Sequence, residues 1–166
     1  MPTSDELIAS HSREVYAYLY RYVGDAATAE DILGEVFVRF IGTYNVNKTT
    51  DFNWRAWFYR VATNLAISHF RRERVRRLFR LKHRGSRGIV DSPHTGVEQD
   101  QEVKLLKVAV ERLSEKLKAV IIMRTYNDMS YDEIAYALNL NVGTVKSRLN
   151  EAKIKLKEIL EGQDGY

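Results

Sequence analysis

Apolar side chains recur three and four positions apart along most of the chain, the repeat of a helix that buries one face. Over residues 5 to 23 that face carries Leu7, Ile8, His11, Val15, Tyr18, Leu19 and Tyr22. Gly24 suits a helix end, and Asp25 suits the N-cap of the next helix. From about 26 to 42 the stripe is Ala29, Ile32, Leu33, Val36, Phe37, Phe40 and Ile41, followed by a polar loop over 43 to 52. A third helix, about 53 to 74, aligns Trp54, Trp57, Phe58, Val61, Leu65, His69 and Phe70. Val75, Leu78 and Phe79 keep some periodicity as far as Leu81. Trp57 reads as core and His69 as a packed structural histidine, while Trp54 fits either core or function. Beyond residue 98, Val103, Leu106, Val110 and Leu113 form a shorter stripe. Ser114 then starts a helix through Tyr126 with Leu117, Val120, Ile121 and Arg124 in register.

The pattern is most specific between Ser130 and Ala152. Ser130 with Glu133 is a capping box, in which each side chain bonds the other residue's amide. Ile134, Ala135 and Leu138 make the buried face of a short helix. Asn139-Leu140-Asn141 breaks it, since Asn tolerates the left-handed backbone of a sharp turn. Asn141 is a natural N-cap for a second helix starting near Val142, with Val145, Leu149, Ala152, Leu156 and Ile159 on its apolar side. The other side carries Thr144, Lys146, Ser147, Arg148 and Asn150. Basic groups neutralise phosphates, and Arg, Asn, Ser and Thr hydrogen-bond base edges. Two helices, a tight turn and such a face describe a helix-turn-helix that enters duplex DNA. An αα-hairpin with a solvated charged face has the same pattern.

The expected architecture is all-α: two small helical domains, over residues 1–81 and 98–166, joined by a flexible basic linker over 82–97. Gly85, Ser86, Gly88, Pro93 and Gly96 break any element there. Charge changes the picture more than composition does. The formal net charge of +4 permits a polyanionic partner without requiring one. From Arg71 to Arg87, however, basic residues crowd against Glu73 alone, and such a run neutralises phosphates without base specificity. There are no cysteines, and the four histidines are scattered. Disulfides, thiolate sites and a cysteine nucleophile are therefore excluded, and no metal or other cofactor is expected. No apolar run is long enough to span a membrane, nor does the N-terminus read as a signal peptide, so a cytoplasmic protein without membrane insertion is expected.

The outer faces of the first domain hold further candidates. Asp31 and Glu35 stand one turn apart, with Glu30 beside them; a solvated acidic helix start has the same appearance. The loop offers Asn45, Asn47 and Tyr44 for hydrogen bonding and stacking. Opposite the third helix's apolar stripe lie Arg55, Tyr59, Arg60, Thr63, Asn64, Ser68, Arg71 and Arg72. Cations that follow a backbone, a ring that stacks and amides that read edges suit single-stranded DNA.

The segment Gly-Thr-Val-Lys-Ser-Arg-Leu at 143–149 resembles the recognition helix of the C-terminal domain of bacterial sigma factors, the extracytoplasmic-function (ECF) group of the sigma-70 family in particular. Residues 29–37 are similar to that family's segment for the polymerase clamp helices. Residues 54–72, Trp-Arg-Ala-Trp-Phe-Tyr-Arg-Val-Ala-Thr-Asn-Leu-Ala-Ile-Ser-His-Phe-Arg-Arg, resemble its promoter-melting and minus-ten helix. Residues 113–124 match its lead-in to the helix-turn-helix. Three positions depart from the pattern: Gly34, where Gln is frequent; Asn139, where Gly is common; and Val142, where Pro often starts the helix.

The resemblance implies a factor that binds core RNA polymerase and directs promoter-specific initiation, with no catalysis of its own. Asp31 and Glu35 would contact the clamp helices of the beta-prime subunit. Asn45 or Asn47 would read a flipped base, and Tyr59, Arg60, Thr63, Asn64 and Arg71 would meet the melted minus-ten strand. Thr144, Lys146, Ser147, Arg148 and Lys153 would meet the duplex minus-thirty-five element. Arg148 is the preferred base reader, and Lys146 and Lys153 are the preferred phosphate contacts. Partners would be core polymerase, promoter DNA in duplex and single-stranded form, and an anti-sigma factor. An ordinary helix-turn-helix regulator and a helical adaptor that binds no DNA are the rival readings.

Overall fold

The computed structural model describes residues 1–47, 51–83 and 101–162. Every regular element among them is an α-helix: α1 (Ser4–Val23), α2 (Ala26–Val46), α3 (Trp54–His83), α4 (Gln101–Glu111), α5 (Glu115–Thr125), α6 (Tyr131–Leu138) and α7 (Val142–Glu161).

Local chemistry sets the boundaries. Thr3 and Glu6 form a reciprocal capping box at the start of α1, and Gly24 ends that helix at φ 80°, where only glycine is unstrained. The Asp25 carboxylate accepts from the Thr28 amide at 2.8 Å and opens α2. Helix α2 runs to Val46 rather than stopping near 42. Its C-cap Asn47 donates through Nδ2 to the Thr43 carbonyl at 3.2 Å, and the polar loop is correspondingly shorter. Asn53 Oδ1 accepts from the Ala56 amide at 3.0 Å at the head of α3. That helix persists for 30 residues to His83, about 45 Å at 1.5 Å per residue. Lys82 and His83 are thus its last turn, and the rest of the expected linker, 84–97, lies outside the described residues. Residues 48–50 of the loop lie outside them too.

Helices α1, α2 and α3 form one unit. Val15, Tyr18, Leu19, Tyr22, Ile32, Val36, Phe40, Phe58 and Leu65 fill its interior. Trp54 is the more enclosed of the two tryptophans, 6% exposed, and meets Phe40 edge-on at 5.2 Å between ring centroids. Trp57 is half-buried on the same cluster. Ile41 departs from expectation. It points outward, because the partners of α2 cover only the side that Phe40 faces.

Helices α4 to α7 form the second unit around Leu113, Leu117, Val120, Ile122, Met123, Met129, Ile134, Val145, Leu149 and Ala152. The capping box of α6 is present, with Ser130 N donating to Glu133 Oε2 at 2.7 Å and Glu133 N to Ser130 Oγ at 3.1 Å. Asn139 closes α6 in the left-handed conformation, φ 53°, and Asn141 caps α7 through the Thr144 amide at 2.8 Å. The small side chain of Ala135, buried, lets the two helices approach. Val103 and Leu106 of α4 are exposed, so only the C-terminal half of that stripe reaches the core.

The two units pack on each other, α3 against α6 and α1 against α5. Helix α3 is therefore covered from three directions, by α1, α2 and α6.

Candidate nucleic-acid and docking faces

Three faces arise from this arrangement. The first is the outer side of α7. Lys146, Ser147 and Lys153 are exposed, and Thr144 and Arg148 half-exposed, all on one helix held from behind by Val145, Leu149 and Ala152. Thr144 donates its hydroxyl to Asn141 Oδ1 at 2.9 Å, and Ser147 donates to the Thr144 carbonyl at 3.0 Å. Both hydroxyls thus keep acceptor capacity outward, and the donors on this face are the cations and the exposed Asn150 amide. Lys146 Nζ sits 5.8 Å from the Tyr131 ring centroid. Among the described residues Arg148 has no carboxylate within ion-pair reach, so its guanidinium fork is available for a base edge or a phosphate.

The second face is the outer side of α2. Asp31 and Glu35 are exposed on it, and Val38 and Ile41 follow at helical spacing, 72% and 52% exposed. An acidic pair beside large apolar side chains left in water is a protein-docking pattern. Glu35 is already engaged by Arg39 at 2.8 Å one turn on, an i,i+4 pair that the sequence spacing permits. Gly34 lies in this stretch with open space where a Cβ would stand.

The third face, on α3, differs most from the sequence reading. Tyr59 and Thr63 do not face outward; both are buried. Thr63 Oγ1 donates to the Tyr59 carbonyl at 2.7 Å, so its lone pairs receive the Tyr18 hydroxyl, also at 2.7 Å. Burial raises the Tyr18 and Tyr59 hydroxyls well above the usual phenol range. A helix face that one partner would leave open is closed here by α1. Asn64 and Arg71 remain exposed, with Ser68 between them at spacings of four and three. Asn45 is exposed on the last turn of α2, while Asn47 is committed to its cap. Further along α3, Arg72, Arg76, Arg77, Arg80 and Lys82 are all exposed.

Arg55 and Arg60 lie at the N-terminal end of this face, and both turn toward the second unit. Arg55 Nε and Nη2 each lie 3.1 Å from Glu14 Oε2. Burial pushes the Glu14 carboxyl up, but hydrogen bonds from His11, Arg55 and Tyr59 outweigh it and hold the group down at about 2. His11 is thus a carboxylate donor at 2.7 Å as well as a packed ring against Phe58. Lys118, buried, places its ammonium over the Tyr22 and Phe70 rings, and burial lowers its pKa against the opposing pull of Glu111 and Glu115. His11–Glu14 is a local pair, but the contacts of Arg55 and Tyr59 with Glu14, 41 and 45 positions apart, leave no local trace in the sequence.

The chain matches the family models for Sigma-70 region 2, over residues 7–76, and Sigma-70, region 4, over residues 104–156. It is 31% identical over 159 residues to the ECF RNA polymerase sigma factor SigL of Mycobacterium tuberculosis, covering 93% of this chain and 87% of that protein. It is 27% identical to SigW of Bacillus subtilis, covering 93% and 87%. To SigE of Mycolicibacterium smegmatis it is 29% identical over 96% of this chain, spanning 62% of that protein. In fold it is similar to the sigma factor RpoE in complex with the anti-sigma factor NepR from Bartonella quintana, with TM-score 0.69, 21% identity and 93% and 94% of the two chains covered. It is likewise similar to CnrH in complex with the cytosolic domain of CnrY, with TM-score 0.70, 21% identity and 96% and 88% covered.

Proposed function

The chain belongs to the ECF RNA polymerase sigma factors, and from that premise we propose that it docks on core RNA polymerase and directs initiation at promoters. The observation that carries the reading is the pairing of two open faces on one chain. An acidic–apolar stripe on α2 suits a protein surface, and a basic, hydroxyl-bearing face on α7 suits duplex DNA.

In this reading Asp31 and Glu35 meet the polymerase clamp helices, Glu35 exchanging Arg39 for its partner. Arg148 reads a base of the minus-thirty-five element. Lys146 and Lys153 neutralise phosphates, and Thr144 and Ser147 accept from base or water donors. Arg60, Asn64 and Arg71 follow the melted minus-ten strand, and Asn45 is the candidate for a flipped base. Tyr59, Thr63 and Asn47 support these groups from within the unit. The minus-ten unit runs to the end of α3 at His83, two residues past the expected boundary at 81, and the minus-thirty-five unit is 98–166. An anti-sigma factor is the regulatory partner, the cytoplasm is the compartment, and nucleotide chemistry stays with the polymerase.

Size-exclusion co-elution with core polymerase tests the reading, with Asp31→Lys/Glu35→Lys as control. Co-elution of the wild type and its loss in the folded variant are expected. Tight duplex binding by the chain alone, without co-elution, would instead identify an ordinary helix-turn-helix regulator.

A further inference from the structure

A cleft between α1 and α4 carries chemistry that neither outer face uses. It encloses about 420 Å³, a volume ordinary for a small-molecule site, and Tyr126 at the C-cap of α5 also lines it. Helix α1 supplies Tyr16 and Tyr20, stacked with ring centroids 6.3 Å apart. Val110 of α4 is buried beneath them, so the interior is apolar.

Three cations line the same cleft: Arg13 and Arg21 on α1, and Lys107 on α4. Arg21 lies over the Tyr126 ring, 4.4 Å from its centroid, and Lys107 over the Tyr20 ring at 5.3 Å. Arg39, Arg55, Arg74 and Arg76 each hold a glutamate. Here, by contrast, no carboxylate lines the cleft, and among the described residues none of the three cations is in an ion pair. Like charges gathered around an apolar cleft without counter-charge favour an anion.

The rings decide which kind. A bare inorganic anion would leave the tyrosines and Val110 in contact with water. A planar base can instead stack on Tyr16 or Tyr20. Lys107 and Arg21 then exchange their ring contacts for phosphate oxygens, since charge-assisted hydrogen bonds are stronger than exposed cation–π contacts. Arg13 and Arg21 are two turns apart, about 12 Å along the helix axis. A ligand that reaches both must be long and carry several charges.

We propose that this cleft binds a nucleoside polyphosphate, its base on the tyrosine rings and its phosphates on Arg21 and Lys107, with Arg13 at the far end. The site shares no residue with the faces of α2 and α7, so its ligand is an effector and takes no part in reading the promoter. The inference goes beyond the initiation role and does not rest on it.

The test is a titration of the full chain into ATP and GTP labelled on the ribose with N-methylanthraniloyl, without divalent cations, read by fluorescence anisotropy. Saturable one-to-one binding is expected. Unlabelled ATP or GTP should compete about tenfold better than inorganic tripolyphosphate or adenosine, each of which offers half of the recognised chemistry. Arg21→Gln and Lys107→Gln leave the apolar core untouched, and each should weaken binding about tenfold. Tyr16→Leu keeps apolar bulk but removes a stacking ring, and should weaken it roughly fivefold or more. Lys157→Gln, at an exposed cation of α7 outside the cleft, should not weaken it. Far-UV circular dichroism should be the same for all; if Tyr16→Leu disturbs the fold, the two cation variants decide. The absence of saturable binding overturns the site. Tripolyphosphate competing as well as ATP, or an equal loss in Lys157→Gln, shows diffuse attraction of anions to a basic chain and overturns it too. Co-elution with core polymerase reads the initiation role separately, so either reading can fail alone.

Discussion

Glu133 closes the cap of α6 with one carboxylate oxygen and receives Arg55 with the other, at 2.7 Å and 3.1 Å respectively. A helix-start signal legible in the sequence is thereby also a tertiary contact, made to a residue 78 positions away. The two carboxylates on Arg55 are not equivalent. Glu14 holds it within the first unit, alongside His11 and Tyr59, and Glu133 draws it toward the second.

Arg55→Ala should therefore destabilise the chain by about 2 kcal/mol, since Glu14 loses its charged donor in a half-buried place. Glu133→Gln should cost less than about 1 kcal/mol, as a partly open pair does. Urea midpoints at unchanged slope measure both. Equal losses would show that Glu14 is not the principal anchor.

Acid should act through the same group. The Glu14 carboxyl titrates at about 2 in the folded chain, against 4.5 for an ordinary glutamate. Its contribution is complete above pH 4.5 and is lost as the pH falls toward 2. With solvent screening of a half-open site, this amounts to roughly 1–2 kcal/mol. Wild type should be more stable than Glu14→Gln at neutral pH, and the gap should narrow on acidification. A gap independent of pH would remove Glu14 from this role.

On α7, Arg148→Ala should cost about 1–3 kcal/mol of discrimination at one base pair of the minus-thirty-five element. Lys146→Ala should weaken binding evenly across sequences and reduce the salt slope by about 1. Holoenzyme titrations on base-substituted duplexes at several salt concentrations separate the two effects. Unchanged selectivity in Arg148→Ala would reassign it to phosphate.

Gly34 gives a prediction of opposite sign. It stands inside α2 with nothing near the place of a Cβ, so Gly34→Ala should stabilise the chain by about 1 kcal/mol. Thermal unfolding measures this. If polymerase affinity falls while stability rises, close approach at this position is what the glycine provides.

Much of this molecule was legible in the chain itself. Periodicity located the helices; Ser130 with Glu133, Asn139 and Asn141 marked the turn of the helix-turn-helix; and Val145, Leu149 and Ala152 showed which side of α7 is buried. These are local properties, set by the backbone chemistry of a few neighbouring residues. What the tertiary structure decided is which polar side chains stay in water. Spacing assigns a residue to a face of a helix but does not say how many neighbours that helix has. Helix α3 has three, so Tyr59 and Thr63 turn inward on a face that looked exposed. Helix α2 is covered on one side, so Ile41 turns outward. Arg55 and Arg60, which read as free cations, are held by Glu14, Glu133 and the carbonyls of Asn127, Tyr136 and Ala137. Glu14 meets Arg55 when the first unit folds, and the other acceptors reach the two arginines only when the units pack, because a hydrogen bond depends on distance in space and not on separation along the chain.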